Sequence, residues 1–121
     1  MVSEWWAAGG ALNPVRLCRL NELAPGSARG FDPDGVGEDT LIVVCRPAGV
    51  RVYRNECPHQ GARLEYRKDR FLSPDGTQVI CYAHGARFDA DTGSCVQGAC
   101  QGKSLRSVAF AILDDWICVS R

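Results

Sequence analysis

Hydrophobic positions along the chain recur with the two-residue period of strands more than with the 3.6-residue period of helices. Residues 15–20, Val-Arg-Leu-Cys-Arg-Leu, alternate and predict a first strand. Residues 25–39 are rich in Gly, Pro and Asp and predict a long loop. Residues 41–46 and 50–54 predict two strands joined as a hairpin through Pro47, Ala48 and Gly49. Short strands are predicted over 79–82 and 86–89. A terminal hairpin, 105–113 with 116–120, turns at Asp114 and Asp115. Helical signals are sparse: residues 4–8 suit a short turn or helix, and Asn21, Glu22 and Leu23 a single turn. No internal repeat or low-complexity tract interrupts the pattern, which predicts an all-β class.

A length of 121 residues predicts one domain with a modest core. Fourteen basic residues balance 14 acidic ones, so no global charge draws the chain to nucleic acid or to a membrane surface. The longest apolar run, residues 41–45, is strand-sized and far short of a spanning helix. Trp5 and Trp6 sit near the N-terminus without the basic and apolar regions of a signal peptide, which predicts a soluble cytoplasmic protein.

Seven cysteines change the picture. The count is odd and no export signal accompanies it, so metal or cluster ligation is a better reading than a disulfide scaffold. The two histidines of the chain, His59 and His84, each lie within three residues of a cysteine. Cys57-Pro58-His59 precedes Cys81-Tyr82-Ala83-His84 by 21 intervening residues. Two Cys/His pairs at short spacing can approach one site from two loops. Gly61 and Gly85 follow them, where tight turns must bring backbone N–H groups close to a bound group. The same four residues could bind zinc as a Cys2His2 set, but zinc sites more often pair Cys with Cys in a knuckle.

The pattern C-x-H followed by C-x-x-H-G, with residues 55–62 (Asn-Glu-Cys-Pro-His-Gln-Gly-Ala) as the first loop, resembles the Rieske 2Fe–2S proteins. The resemblance runs from about residue 15 to 121 and is nearest to stand-alone bacterial Rieske ferredoxins. It implies one 2Fe–2S cluster, with Cys57 and Cys81 on one iron and His59 and His84 on the other. It also implies base strands from 15–54 and 105–121 around a cluster-binding subdomain over about 55–104. High-potential members of that family carry a disulfide between the cluster loops, where this chain has Ala62 and Ala83. They also carry a Ser and a Tyr whose hydroxyls bond cluster sulfur, where this chain has Ala86 and Phe88. Donors to sulfur favour the reduced cluster, so their loss implies a potential near the low end of the Rieske range, roughly −150 mV.

Cys18, Cys45 and Cys118 lie in strand-like apolar runs and read as core residues. Cys95 and Cys100 fall in a Gly-rich loop and read as loop thiols packed against the cluster subdomain, ahead of a redox-active pair or a disulfide. Arg63, Arg67, Lys68 and Arg70, against Glu65 and Asp69, read as an ordinary solvated edge rather than a docking patch. The functional expectation is a one-electron carrier whose partners are redox proteins, a reductase and a terminal oxygenase or similar acceptor. His59 and His84 would be the exit point. The alternative, the Rieske component or fragment of a ring-hydroxylating oxygenase, also needs a 2-His-1-carboxylate iron site for which no histidine is left, and so requires the chain to be one piece of a larger polypeptide. A redox-sensing module is a further alternative, marked by no particular residue.

Overall fold

Residues 41–44, Leu-Ile-Val-Val, offer no polar position, so a strand here must bury both of its faces. In the computed structural model, which describes residues 14–58 and 61–120, it does. The described residues form nine strands: β1 (Pro14–Arg19), β2 (Ala28–Phe31), β3 (Leu41–Arg46), β4 (Gly49–Arg54), β5 (Gln78–Ile80), β6 (Arg87–Asp89), β7 (Cys95–Gln97), β8 (Phe110–Leu113) and β9 (Trp116–Ser120). They pair antiparallel into three sheets, ordered β1-β9-β8, β2-β3-β4 and β5-β6-β7. The all-β class is borne out. A single 3-10 turn at Leu20–Glu22 is the one helical element among the described residues, beside the predicted turn at 21–23. The predicted turn or helix over 4–8, with Trp5 and Trp6, lies outside them.

The sheet β2-β3-β4 is a wall shared by two hydrophobic clusters. Successive β-strand side chains point to opposite faces. Leu41 and Val43 therefore join Val50, Val52, Cys18, Phe110, Ile117 and Val119 on one side. Ile42 and Val44 join Tyr53, Phe71, Phe88, Leu64, Cys57 and Cys81 on the other. Burying each large apolar side chain contributes roughly 1.5–3 kcal/mol. Together they hold the wall against the layers on both sides.

The hairpins follow their turn chemistry. Arg46 pairs with Gly49 across a two-residue turn at Pro47 and Ala48. Leu113 pairs with Trp116 across Asp114 and Asp115, both at positive φ (51° and 65°). A two-residue hairpin turn of that hand matches strand twist, and Asp tolerates it better than most non-glycine residues. The tight turn at residues 73–76 closes with Gly76 N–H donating to the Ser73 carbonyl at 2.9 Å.

Several predicted boundaries move: the strand expected over 79–82 ends at Ile80, which leaves Cys81 and Tyr82 in the loop, and three other changes are larger. β2 lies inside the predicted 25–39 loop, where Ala28 and Gly30 turn inward and the strand adds to β3 as an edge. β7 lies inside the Gly-rich loop and adds to β6 with a bulge. The strand expected over 105–113 begins only at Phe110. The residues before it bond to β4 instead, Arg54 N–H to the Arg106 carbonyl and Val108 N–H to the Val52 carbonyl, both at 2.9 Å. Cys18 and Cys118 are buried, as expected, whereas Cys45, opposite Val50 near the hairpin end, is only half-buried. No helix among the described residues is long and apolar enough to cross a membrane.

Candidate metal centre

Two loops with the same local wiring build the centre. In the first, Cys57 N–H donates to the Ala62 carbonyl and Gly61 N–H to the Cys57 carbonyl, both at 2.7 Å. In the second, Cys81 N–H donates to the Ala86 carbonyl at 2.9 Å and Gly85 N–H to the Cys81 carbonyl at 2.7 Å. Each loop is thus Cys, three residues, Gly, Ala, with the glycine at φ 74° in one and 73° in the other. That dihedral is why glycine is needed: a side chain there is strained. The two loops are tied together by Tyr82 N–H donating to the Leu64 carbonyl at 3.0 Å.

Buried Asn55 anchors the first loop. Its amide donates to the Asp39 carbonyl at 2.8 Å and to Glu65 Oε2 at 2.5 Å, and its Oδ1 accepts from Leu64 N–H at 2.9 Å. Every polar atom of that side chain is therefore engaged, as a buried amide requires. On the second loop, Ile80 N–H donates to the Phe71 carbonyl at 2.8 Å, fixing β5 just before Cys81.

The result is a compact donor set. One ligand atom each from Cys57, Cys81 and His84 lie within 4.8 Å of one another, and Cys81 Sγ is 3.6 Å from His84 Nδ1. The two sulfurs are buried, at 1% and 0% exposure, while His84 is exposed. His59, the fourth predicted ligand, lies outside the described residues. Burial pushes the Cys81 thiol up, reinforced by the Cys57 thiol beside it. Two thiols packed together in an apolar cluster and not joined as a disulfide suit a cation that replaces both protons. A donor set of buried sulfur and exposed imidazole suits an iron–sulfur cluster of mixed Cys and His ligation.

The other sequence candidates fall into place around it. Cys100 is fully buried with its Sγ 3.6 Å from Cys57 Sγ, whereas Cys95 Sγ donates to the Gln97 carbonyl at 3.3 Å. Neither is in a disulfide, and their sulfurs face different partners. Spacing gave no sign that Cys100 would meet Cys57. Ala86 and Phe88 are both fully buried in the cluster under the centre. Two of the four cations of the basic run are paired locally: Arg63 with Glu38 (3.5 Å) and Glu65 (3.3 Å), and Lys68 with Asp39 (2.7 Å) and Asp69 (3.3 Å). That favours the solvated-edge reading. The exposed rings of Tyr66 and Tyr82 meet at 5.6 Å beside the second loop, which sequence did not foretell. Trp116 is half-buried, with the Arg16 and Arg19 guanidinium groups over its ring at 5.1 and 4.8 Å.

Known structures share this architecture. The ferredoxin of carbazole 1,9a-dioxygenase from Nocardioides aromaticivorans IC177 is 29% identical over 89% of this chain and 97% of that one, with a TM-score of 0.67. The Sphingomonas yanoikuyae B1 ferredoxin is 28% identical over 90% and 99%, with a TM-score of 0.68. The apo form of a quaternary ammonium Rieske monooxygenase, CntA, shares the fold at 17% identity, covering 97% of this chain and 35% of that one, with a TM-score of 0.70. No curated protein matches the chain by sequence. The family model of the Rieske [2Fe-2S] domain matches residues 13–111. With that match added to the paired Cys-x3-Gly-Ala loops, the chain belongs to the Rieske [2Fe-2S] family, and its cofactor is a 2Fe–2S cluster.

Proposed function

We propose that the chain is a one-electron carrier, with Cys57 and Cys81 holding one iron of its cluster and His59 and His84 the other. The carrying observation is the convergence of Cys57, Cys81 and His84 within 4.8 Å, thiols buried and imidazole exposed. The cluster, when bound, accepts and returns a single electron. The remaining work belongs to the chain. Leu64, Phe71 and Phe88 keep water from the sulfurs, Asn55 fixes the first loop, and exposed His84 presents an imidazole edge through which a partner can come within transfer distance. Residues 55–104 act as the cluster-binding subdomain, carried on base strands from 15–54 and 105–121.

The similarity to ferredoxins, one of them named for carbazole 1,9a-dioxygenase, supports a place between a reductase and a terminal oxygenase or comparable acceptor in the cytoplasm. A solved complex of oxygenase and ferredoxin of carbazole 1,9a-dioxygenase, 21% identical to this chain, shares the fold. With Ala62 and Ala83 in the loops and no hydroxyl at Ala86 or Phe88, the potential belongs at the low end of the Rieske range.

Iron and acid-labile sulfide analysis on single variants tests the ligand set. Wild type should hold two of each per chain. Cys57→Ser, Cys81→Ser, His59→Ala and His84→Ala should each lose them, while Cys18→Ala and Cys45→Ala retain the visible spectrum. Retention by Cys57→Ser, or stoichiometric zinc in place of iron in wild type, would overturn the assignment.

A further inference from the structure

Cys100 occupies a place that the ligand set does not explain. It is fully buried among Cys57, Cys81, Ala86 and Phe88, and its Sγ stands 3.6 Å from Cys57 Sγ, within hydrogen-bonding range for sulfur. The backbone puts it there. Gly98, at φ 101°, packs so closely on the second cluster loop that a Cβ would stand 2.9 Å from Ala86 Cα. The turn then closes with Lys103 N–H donating to the Cys100 carbonyl at 2.8 Å, and Cys95 N–H donating to the Lys103 carbonyl at 3.0 Å.

A sulfur that holds iron does so as a thiolate, without its proton. If Cys57 is that sulfur, as the ligand reading above has it, only Cys100 can be the donor of the pair. The other donors in this buried cluster are engaged elsewhere: the Tyr53 hydroxyl donates to the Ala90 carbonyl and the Cys95 thiol to the Gln97 carbonyl. Ala86 and Phe88 have none to offer. We propose that the Cys100 thiol donates an S–H hydrogen bond to Cys57 Sγ and so raises the reduction potential of the cluster. Reduction adds negative charge that spreads onto the ligand sulfur, and a donor aimed at that sulfur gains strength as the charge grows. The thiol keeps its proton throughout and undergoes no oxidation. Cys100 is a positioning and tuning residue, and the loop that carries it is a determinant of potential.

The test uses the cluster-loaded full chain as wild type, Cys100→Ala and Cys100→Ser. Infrared difference spectra between oxidised and reduced wild type should contain an S–H stretching band that moves to lower frequency on reduction, shifts in D2O and vanishes in Cys100→Ala. Protein-film voltammetry should place Cys100→Ala below wild type, by up to a tenfold change in the reduction equilibrium, about 59 mV for one electron. Cys100→Ser, which restores a donor, should lie above Cys100→Ala. Coincident potentials for wild type and Cys100→Ala, or no redox-linked S–H band, would overturn the inference. Should Cys100→Ala fail to load, the wild-type band decides alone. The ligand reading fails separately: loss of cluster in Cys100→Ala with retention in Cys57→Ser would make Cys100 the ligand and overturn both.

Discussion

Tyr53→Phe removes one oxygen at the seam between the central sheet and the layer under the cluster. Tyr53 is the last-but-one residue of β4, is 2% exposed, and donates its hydroxyl to the Ala90 carbonyl, just past β6, at 3.0 Å. The ring itself packs in the apolar cluster and is retained by Phe, so the change isolates the hydrogen bond. A buried carbonyl deprived of its donor costs about 1–3 kcal/mol, against about 1 kcal/mol for an average exposed bond. The same burial pushes the Tyr53 phenol up to about 12 from its ordinary 10, with Arg51 opposing and Asp89 and Asp91 reinforcing. The sign follows from linkage. Between those two values the unfolded chain ionises Tyr53 while the native one keeps the proton, so stability is present in full below pH 10 and lost as pH rises towards 12. Two pH units correspond to roughly 3 kcal/mol. The gap between wild type and Tyr53→Phe should therefore be widest near neutrality and shrink through the alkaline range. Denaturant unfolding followed by circular dichroism at several pH values measures both effects. Phenolate difference absorbance of wild type against the Phe variant locates the ionisation. Equal unfolding midpoints at neutral pH, or a Tyr53 that ionises at its ordinary value of 10, would refute the reasoning.

Gly98→Ala should cost roughly 1–3 kcal/mol in thermal or denaturant unfolding and loosen cluster retention, because its Cβ meets the Ala86 backbone at 2.9 Å. Gly102→Ala, at φ 88° with nothing within 4 Å, pays only the dihedral cost and serves as the comparison. Ala86→Ser with Phe88→Tyr should raise the potential by on the order of 0.1 V, about 2.3 kcal/mol for one electron, if both hydroxyls reach sulfur. A wild-type potential already well above zero in voltammetry would reject the low-potential assignment.

The strands that were legible in the sequence are those whose own side chains dictate them. Residues 41–46 and 50–54 read correctly because their apolar content and the Pro47-Ala48 turn are local facts. The Asp114-Asp115 turn read correctly for the same reason. β2 and β7 were not legible, because four and three residues rich in small or polar types become strands only when β3 and β6 offer an edge. The late start of β8 was hidden likewise: residues 106–108 have strand character but spend their backbone bonds on β4. At the centre, ligand types and spacing pointed to Cys57, Cys81 and His84 before any coordinates. The approach of Cys100 to Cys57 was invisible, since it depends on how a 43-residue separation closes in space. The pairing of Arg63 with Glu38 and of Lys68 with Asp39 was also a tertiary fact, from acids upstream in the chain.

The shared wall has a consequence for solubility. A run of four large aliphatic residues without charge is the kind of segment that seeds intermolecular strand pairing when uncovered. In the native molecule β3 is safe on all sides: β2 and β4 take its backbone groups, and a different apolar layer covers each face. Thr40 before it and Arg46 at its end act as polar brakes, Arg46 being held by Asp91 at 3.0 Å. The layer over Ile42 and Val44 is the one that contains Cys57 and Cys81, so under the proposed ligand set its order is linked to the iron. Cells that run short of iron or sulfide would therefore face an insoluble chain as well as an idle one, with Ile42 and Val44 the first aliphatic side chains to be bared and Leu41 and Val43 still sheltered behind the wall.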